Sequence, residues 1–410
     1  CSMGWKPRPH KTVYLVSAIM GLTLLGDSLL YSVLPLNAEV LGIPLLAVGV
    51  ILSVNRWVRM VTNFLAAKSF ARWGLHKPLV AAIVATVLVT FIYAQPKGIG
   101  VFLLARMMWG LCWSHIRLGS YLVILGTSGT ALGISMGIRQ AIARVGSAFA
   151  VLVGGFLVDW FGYRVGVTSM ALLSSMAIPV AYRLHSELED RQILDHAVQE
   201  THDNPCNLRP RSSLMFYNLA GFVTSFVGVG LVVSSVSLLL QQRIGDCMTV
   251  FGVEVGIATI SGVLLAIRWI STFVMSPLAG RFSDVWGRRK TFLCLSIAEL
   301  VALLALVFTN GPIATIAFAV MLFAVGTSLE VVLEAAIGDG ALEGDAARHM
   351  STYSSFYDLG AACGPLLGYM IGAQYGLSLS YLVGAMLILV VTVMLYFSPR
   401  FTELELKGES

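Results

Sequence analysis

Thirteen charged residues fall inside stretches that are otherwise apolar. Seven are arginines: Arg56, Arg59, Arg106, Arg117, Arg139, Arg144 and Arg268. Six are acids: Asp27, Glu254, Glu299, Glu330, Glu334 and Asp358. The first half of the chain holds six of the arginines and one acid; the second half holds one arginine and five acids. A guanidinium stays protonated, so it cannot hand over a proton, but its planar fork suits bidentate binding of carboxylate or phosphate. A carboxyl group withdrawn from water can titrate near neutrality and carry a proton. One reading is a cationic half that grips an anionic small molecule and an anionic half that takes up protons. The other is that the halves neutralise each other through ion pairs, as gates.

Helical spacing groups these residues. Asp27 and Tyr31 lie one turn apart and form a candidate cavity pair; Arg59 shares a face with Asn55 and Asn63. Arg106 and Arg117 are eleven positions apart, about three turns, and share a face. Gln140 aligns with Arg144, Glu330 with Glu334, and Ser354 with Asp358. Two carboxylates as close as Glu330 and Glu334 raise each other's affinity for protons. Glu254 falls near a run's outer end, where solvation suffices to explain it. Trp57, Trp109, Trp113 and Trp269 suit cavity lining or plain aromatic packing. Gly133 and Gly137, four apart, suggest close helix contact. His115 is the one histidine in an apolar run, and no metal-ligand cluster forms around it. The sequence carries no nucleophile triad and no phosphate-binding glycine loop, so neither an enzyme nor an ATP-driven pump is expected, and no cofactor is implied.

The elements that position these charges are bilayer-length. Of 410 residues, 57% are apolar and 12% charged, against about 25% charged in a soluble domain. No globular surface could be covered with so little polarity, so an all-α integral membrane protein is expected. A spanning helix needs about 20 apolar residues. Twelve such runs occur, near 12–37, 44–71, 78–95, 99–124, 131–158, 164–184, 213–241, 252–279, 291–309, 313–338, 350–373 and 378–398. The first is long enough to span and no cleavage site follows it, so it reads as an uncleaved helix. The net charge of +5 is better explained by membrane topology than by nucleic acid. With both termini cytoplasmic, seventeen basic residues lie on that side and three (Lys97, Arg164, Arg243) on the other. This includes Gly280–Lys290, a basic stretch between two apolar runs. The six cysteines form no CxxC pair, and the absence of an Asn-x-Ser/Thr sequon favours a bacterial source.

The halves repeat. Trp73-Gly74 answers Trp286-Gly287 at an offset of 213, Arg56-Trp57 answers Arg268-Trp269 at 212, and Phe161-Gly162 answers Tyr375-Gly376 at 214. At that last offset Arg144 and Asp358 share a repeat position with opposite charge. The expected organisation is a six-helix bundle over 1–184, a cytoplasmic linker over 185–212, a second bundle over 213–398 and a tail over 399–410. Repeats of this kind place a substrate near the bilayer midplane.

The chain resembles the major facilitator superfamily over its whole length. Gly280–Lys290 is similar to the family's basic turn between helices 8 and 9. Arg106-x3-Gly110-x3-Ser114 resembles its helix-4 motif in proton-coupled members, and Gly360–Gly368 resembles its glycine-proline packing motif, here in helix 11. Ala71 stands where Asp284 stands in the second half, and the helix-5 stretch Gly146–Gly155 lacks the Gly-Pro pair of drug-exporting relatives. The resemblance implies a proton-coupled, alternating-access secondary transporter, monomeric, in a bacterial inner membrane. Its partners would be a small-molecule substrate, protons and the lipid bilayer. The expected substrate is an amphipathic or polycarboxylate organic anion, such as a siderophore or metabolite; proton-driven multidrug efflux is the alternative. A lipid flippase or a non-transporting receptor on the same scaffold is a further one. The implied substrate site comprises Asp27, Tyr31, Arg56, Arg59, Arg106, Arg117, Arg139 and Arg144. Glu330, Glu334 and Asp358 would couple protons, and Asp284, Arg288, Arg289 and Arg268 would gate. Helix 2 packs on helix 11 in the family, which implies that Asp358 meets Arg56 or Arg59. Helix 9 is peripheral there, so Glu299 is expected to be structural.

Overall fold

The computed structural model describes residues 11–95, 98–128, 132–189, 215–250, 252–341 and 346–397. Most of the expected linker, the two tails and the basic residue Lys97 lie outside these ranges. The long helices are α1 (Lys11–Val33), α2 (Leu45–Trp73), α3 (His76–Tyr93), α4 (Ile99–Ser128), α5 (Leu132–Phe161) and α6 (Tyr163–Leu184). After the linker come α7 (Met215–Ile244), α8 (Ile257–Trp286), α9 (Arg288–Phe308), α10 (Pro312–Ala341), α11 (Ala346–Tyr375) and α12 (Leu377–Tyr396). Among the described residues, eleven helices are long and apolar enough to cross a membrane. The remaining one, α11, is 30 residues long, but its first half carries His349, Thr352, Tyr353, Ser354, Ser355, Tyr357 and Asp358.

The basic stretch Gly280–Lys290 is mostly not a loop. Helix α8 runs through it to Trp286, α9 starts at Arg288, and Gly287 with φ of 88° is the single break. Its repeat partner Gly74 has φ of 72°, and the pair Gly162 and Gly376 has φ of 83° and 87°. The internal repeat is thus written in the backbone as well as the sequence. A residue with Cβ is strained in this left-handed region.

A second difference lies before α8. Residues 252–256, expected to open a helix, belong to an antiparallel hairpin of β1 (Cys247–Val250) and β2 (Val253–Gly256). The alternation of β-branched residues here satisfies a strand, and apolarity alone did not distinguish it from a helix start. Glu254 is therefore exposed on β2 opposite Thr249 and is not a charge within a span.

Contacts divide the chain into two compact units: one holds the residues up to Leu30 with those from Val58 to the linker, the other holds Tyr31–Trp57 and the residues after the linker. In the first, α1 packs on α5 and the end of α6, and α3 on α4. A Cβ at Gly137 would meet no atom within 4 Å, so this glycine of α5 makes no close helix contact. In the second, α7 packs on α11, α8 on α10, and α9 on both α10 and α12. Helix α7 widens to a π-helix over Phe226–Val232, a distortion often found where helices carry function. There Gly230 lies against Gly364 of the glycine-proline motif, and a Cβ on Gly364 would overlap Gly230 Cα and the Phe226 carbonyl. Tyr369 donates to the Ser234 carbonyl at 2.5 Å, and Ser225 to that of Tyr357 at 2.6 Å, pinning the same seam.

Candidate functional site

In the first unit, the charges meet at Arg106. Its guanidinium on α4 is 0% exposed and forms an ion pair with Asp27 of α1. Tyr93 of α3 hydrogen-bonds Arg106, and the Trp109 ring centre lies 5.7 Å from its guanidinium carbon. Trp109 stacks on Trp113 at 5.4 Å, which closes this corner with aromatic surface. One and two turns on, Gly110 accepts from Ser114 at 3.2 Å, and Ser114 shares a 2.8 Å hydrogen bond with Thr62 of α2. The helix-4 motif thus ties α1, α2, α3 and α4 together. Two of its expected arginine companions behave differently. Arg117 is exposed, and Arg139 of α5 is half-buried in electrostatic contact with Arg117 and Tyr121. Arg139 also bonds Ser120 at 3.4 Å and Met20 at 3.5 Å. Arg59 and Arg144 are half-buried on α2 and α5.

In the second unit, polar groups from five helices converge. Tyr31, at the end of α1, hydrogen-bonds Arg56 of α2, and Arg56 is in electrostatic contact with Asp358 and Tyr357 of α11. Arg56 is one of the two arginines expected near Asp358. Ser53 donates to the Ala362 carbonyl, fixing α2 on α11 one turn away. Tyr357 in turn hydrogen-bonds Glu330 of α10 and lies in electrostatic contact with Arg268 of α8. Arg268 is 8% exposed and stacks 4.4 Å from the ring centre of Trp269. Tyr353 is in electrostatic contact with both Glu334 and Glu330. Glu334 is exposed, Glu330 half-buried, so the aligned pair differs in access to water. Glu299 of α9 is 1% exposed on the inner side of a helix whose other side exposes Ile297 and Val301.

The charges at the α8–α9 break form a separate cluster within the second unit. Asp284 pairs with Arg288 at 2.6 Å across Gly287, and Arg288 also donates to Ser283. Arg289 donates to the Tyr396 carbonyl at 2.6 Å, fastening α9 to the end of α12. Arg268 is therefore not with Asp284, Arg288 and Arg289 but among the tyrosines and carboxyls. In the first unit, an outer groove of about 540 Å³ on α2, α3 and α4, with Trp73, Ala85, Met108, Cys112 and His115 among its walls, is lined by no acid.

Tyr93, Tyr353 and Tyr357 do not stand out in the sequence, because tyrosines in apolar runs usually report packing. The i, i+4 pair Tyr353 and Tyr357 beside Asp358 is the signal that could have marked α11 as a polar face.

An arginine–carboxylate pair sealed inside one bundle, a carboxyl–tyrosine–guanidinium group inside the other, and bilayer-length helices around both define a membrane transporter. The Major Facilitator Superfamily profile matches residues 16–269 and 219–410, and the chain belongs to that family. Its relatives include the multidrug resistance protein MdtG of Klebsiella pneumoniae (strain 342), 24% identical over 369 residues, covering 85% of this chain and 83% of the relative. MdtG of Dickeya zeae (strain Ech586) is 22% identical over 325 residues, covering 78% and 76%. Among solved structures, a bacterial homolog of the human lysosomal transporter Spinster, inward-facing and occupied, superposes with a TM-score of 0.74 at 13% identity, covering 97% of this chain and 98% of that one. The nucleoside transporter NupG gives 0.72 at 13% identity, covering 94% and 98%. These likenesses show the fold.

Proposed function

We propose that this protein is a proton-driven secondary transporter that exports amphipathic small molecules from the bacterial cytoplasm. The observation that carries the reading is the partnering of the membrane arginines. Arg106 is matched by Asp27, and Arg56 by Tyr31 and Asp358. Guanidinium groups already engaged in this way serve gating and coupling better than they serve as an open anion grip. That shifts preference from the organic anion towards drug-like compounds, in line with relatives named for multidrug resistance. In this reading, Glu330, Glu334 and Asp358 take up the driving proton, and Asp284, Arg288 and Arg289 hold one conformation closed. The chain works as a monomer, as bundles 1–184 and 213–398 with both termini in the cytoplasm.

The organic anion stays as a second reading because of one feature: Arg117 and Arg139 lie close enough to repel each other, an arrangement suited to sharing one anion. Proteoliposomes with an imposed proton gradient test both. Proton-dependent flux of a lipophilic cation, inhibited by other lipophilic cations and indifferent to citrate-like anions, is the expected result. Inhibition by polycarboxylates alone would establish the anion instead, and flux without any proton gradient would end the proton-driven reading.

A further inference from the structure

Beyond its basic first turn, helix α9 carries a single charged residue, Glu299, in its middle third. It shares a face with Ser296 and Leu303, both buried, and that face packs against α10 and α12. Ser296 spends its hydroxyl on the Phe292 carbonyl at 2.7 Å, on its own helix. Glu299 is 1% exposed, and its Oε2 is buried with no hydrogen-bond partner. An ionised carboxylate in that position would have lost its water and gained nothing in return, so the group is held there neutral.

The neighbouring helix lies against this acid. A Cβ built on Gly326 of α10 would sit 3.8 Å from Glu299 Oε1, at ordinary van der Waals distance, so the carboxyl lies directly beside this stretch of α10. Glu330 lies one turn further along the same face of α10, and it is the ionisable group in electrostatic contact with Glu299. From the other packed helices, α12 presents Tyr381, which shares a hydrogen bond with Ser235 of α7 at 3.0 Å, and α8 presents Arg268, which faces Tyr357. Glu330 is half-buried and bonded by Tyr357, so it has one side towards Glu299 and the other towards the polar group around α11.

We infer that Glu299 and Glu330 form a two-carboxyl proton store across α9 and α10, with Glu299 the dry inner member and Glu330 its route to the polar interior. In the transfer, Glu330 as carboxylate accepts the proton from Glu299, which becomes the carboxylate; the pair's total charge does not change. The proton then leaves Glu330 for water while Tyr357 steadies the Glu330 carboxylate by donating its hydroxyl hydrogen, and the Glu299 carboxylate, with no partner of its own, lasts only until a proton returns through Glu330 and restores its neutral form. Glu299 is thereby a coupling residue.

The inference rests on the proton-driven reading, and one set of reconstituted proteins separates the two. Gradient-driven flux by the wild type tests that reading by itself. Infrared difference spectra of the full-length protein between acidic and alkaline buffer test the store. The wild type should show a protonated-carboxyl carbonyl band that titrates; Glu299→Gln should lose it, and Glu330→Gln should move the pH at which it titrates. Both variants are near-isosteric, and Glu330→Gln keeps the test decisive if the other fails to fold. Titration unchanged in Glu299→Gln, or a Glu299 band untouched by Glu330→Gln, would overturn the store even if gradient-driven flux is intact.

Discussion

Arg106 cannot fall back on water. With its side chain fully enclosed, the charge is tolerable because Asp27 sits against it and Tyr93 and Trp109 close the remaining sides. Removing one partner of a buried pair costs about 3–5 kcal/mol, whereas removing both costs far less. Asp27→Asn is therefore expected to lower unfolding stability in detergent by about that amount. Adding Arg106→Gln to it should recover most of the loss. In the second unit, Arg56 and Asp358 make a more open pair. Arg56→Asp and Asp358→Arg should each abolish transport, and the double variant should regain a measurable part of it. At this scale the sequence reveals which charges must be sheltered, because a guanidinium in an apolar run is too costly to leave against lipid. It does not reveal the tyrosines that mediate between them, since their apolar rings match the surrounding pattern.

Helices were legible where length and apolarity were enough. The twelve runs each correspond to a long helix, and the recurring Trp-Gly and aromatic-Gly pairs correspond to left-handed glycines at the helix breaks. What escaped was local geometry without a hydropathy signature. The hairpin at 247–256 is as apolar as a helix start, and the π-helical stretch of α7 differs from its flanks by two glycines rather than by polarity. The glycine-proline motif of α11 makes its contact with that stretch. Overpacking a filled seam costs about 1–3 kcal/mol or more. Gly364→Val should thus strongly reduce the yield of folded protein in gel filtration. Gly137→Ala, where the added methyl meets open space, should be neutral or stabilising by about 0.5–1 kcal/mol.

For the molecule as a whole, family membership follows from the match along nearly the full chain, while the cargo depends on a few side chains that low-identity relatives need not share. Orientation can be read directly thanks to the hairpin. Among the described residues, Cys247 is exposed on β1, Cys112 is buried, Cys294 lies on α9 and Cys363 is half-buried on α11. In the proposed orientation, with the termini inside the cell, β1 projects outward. A membrane-impermeant maleimide applied to intact cells should modify Cys247, and Cys247→Ser should abolish the labelling; labelling of intact cells that survives Cys247→Ser would come from Cys1 or Cys206 and invert the topology. The ribbon between α7 and α8 is thereby a built-in docking point for a fluorophore, one that would let the opening of the outer face be timed without engineering any new thiol.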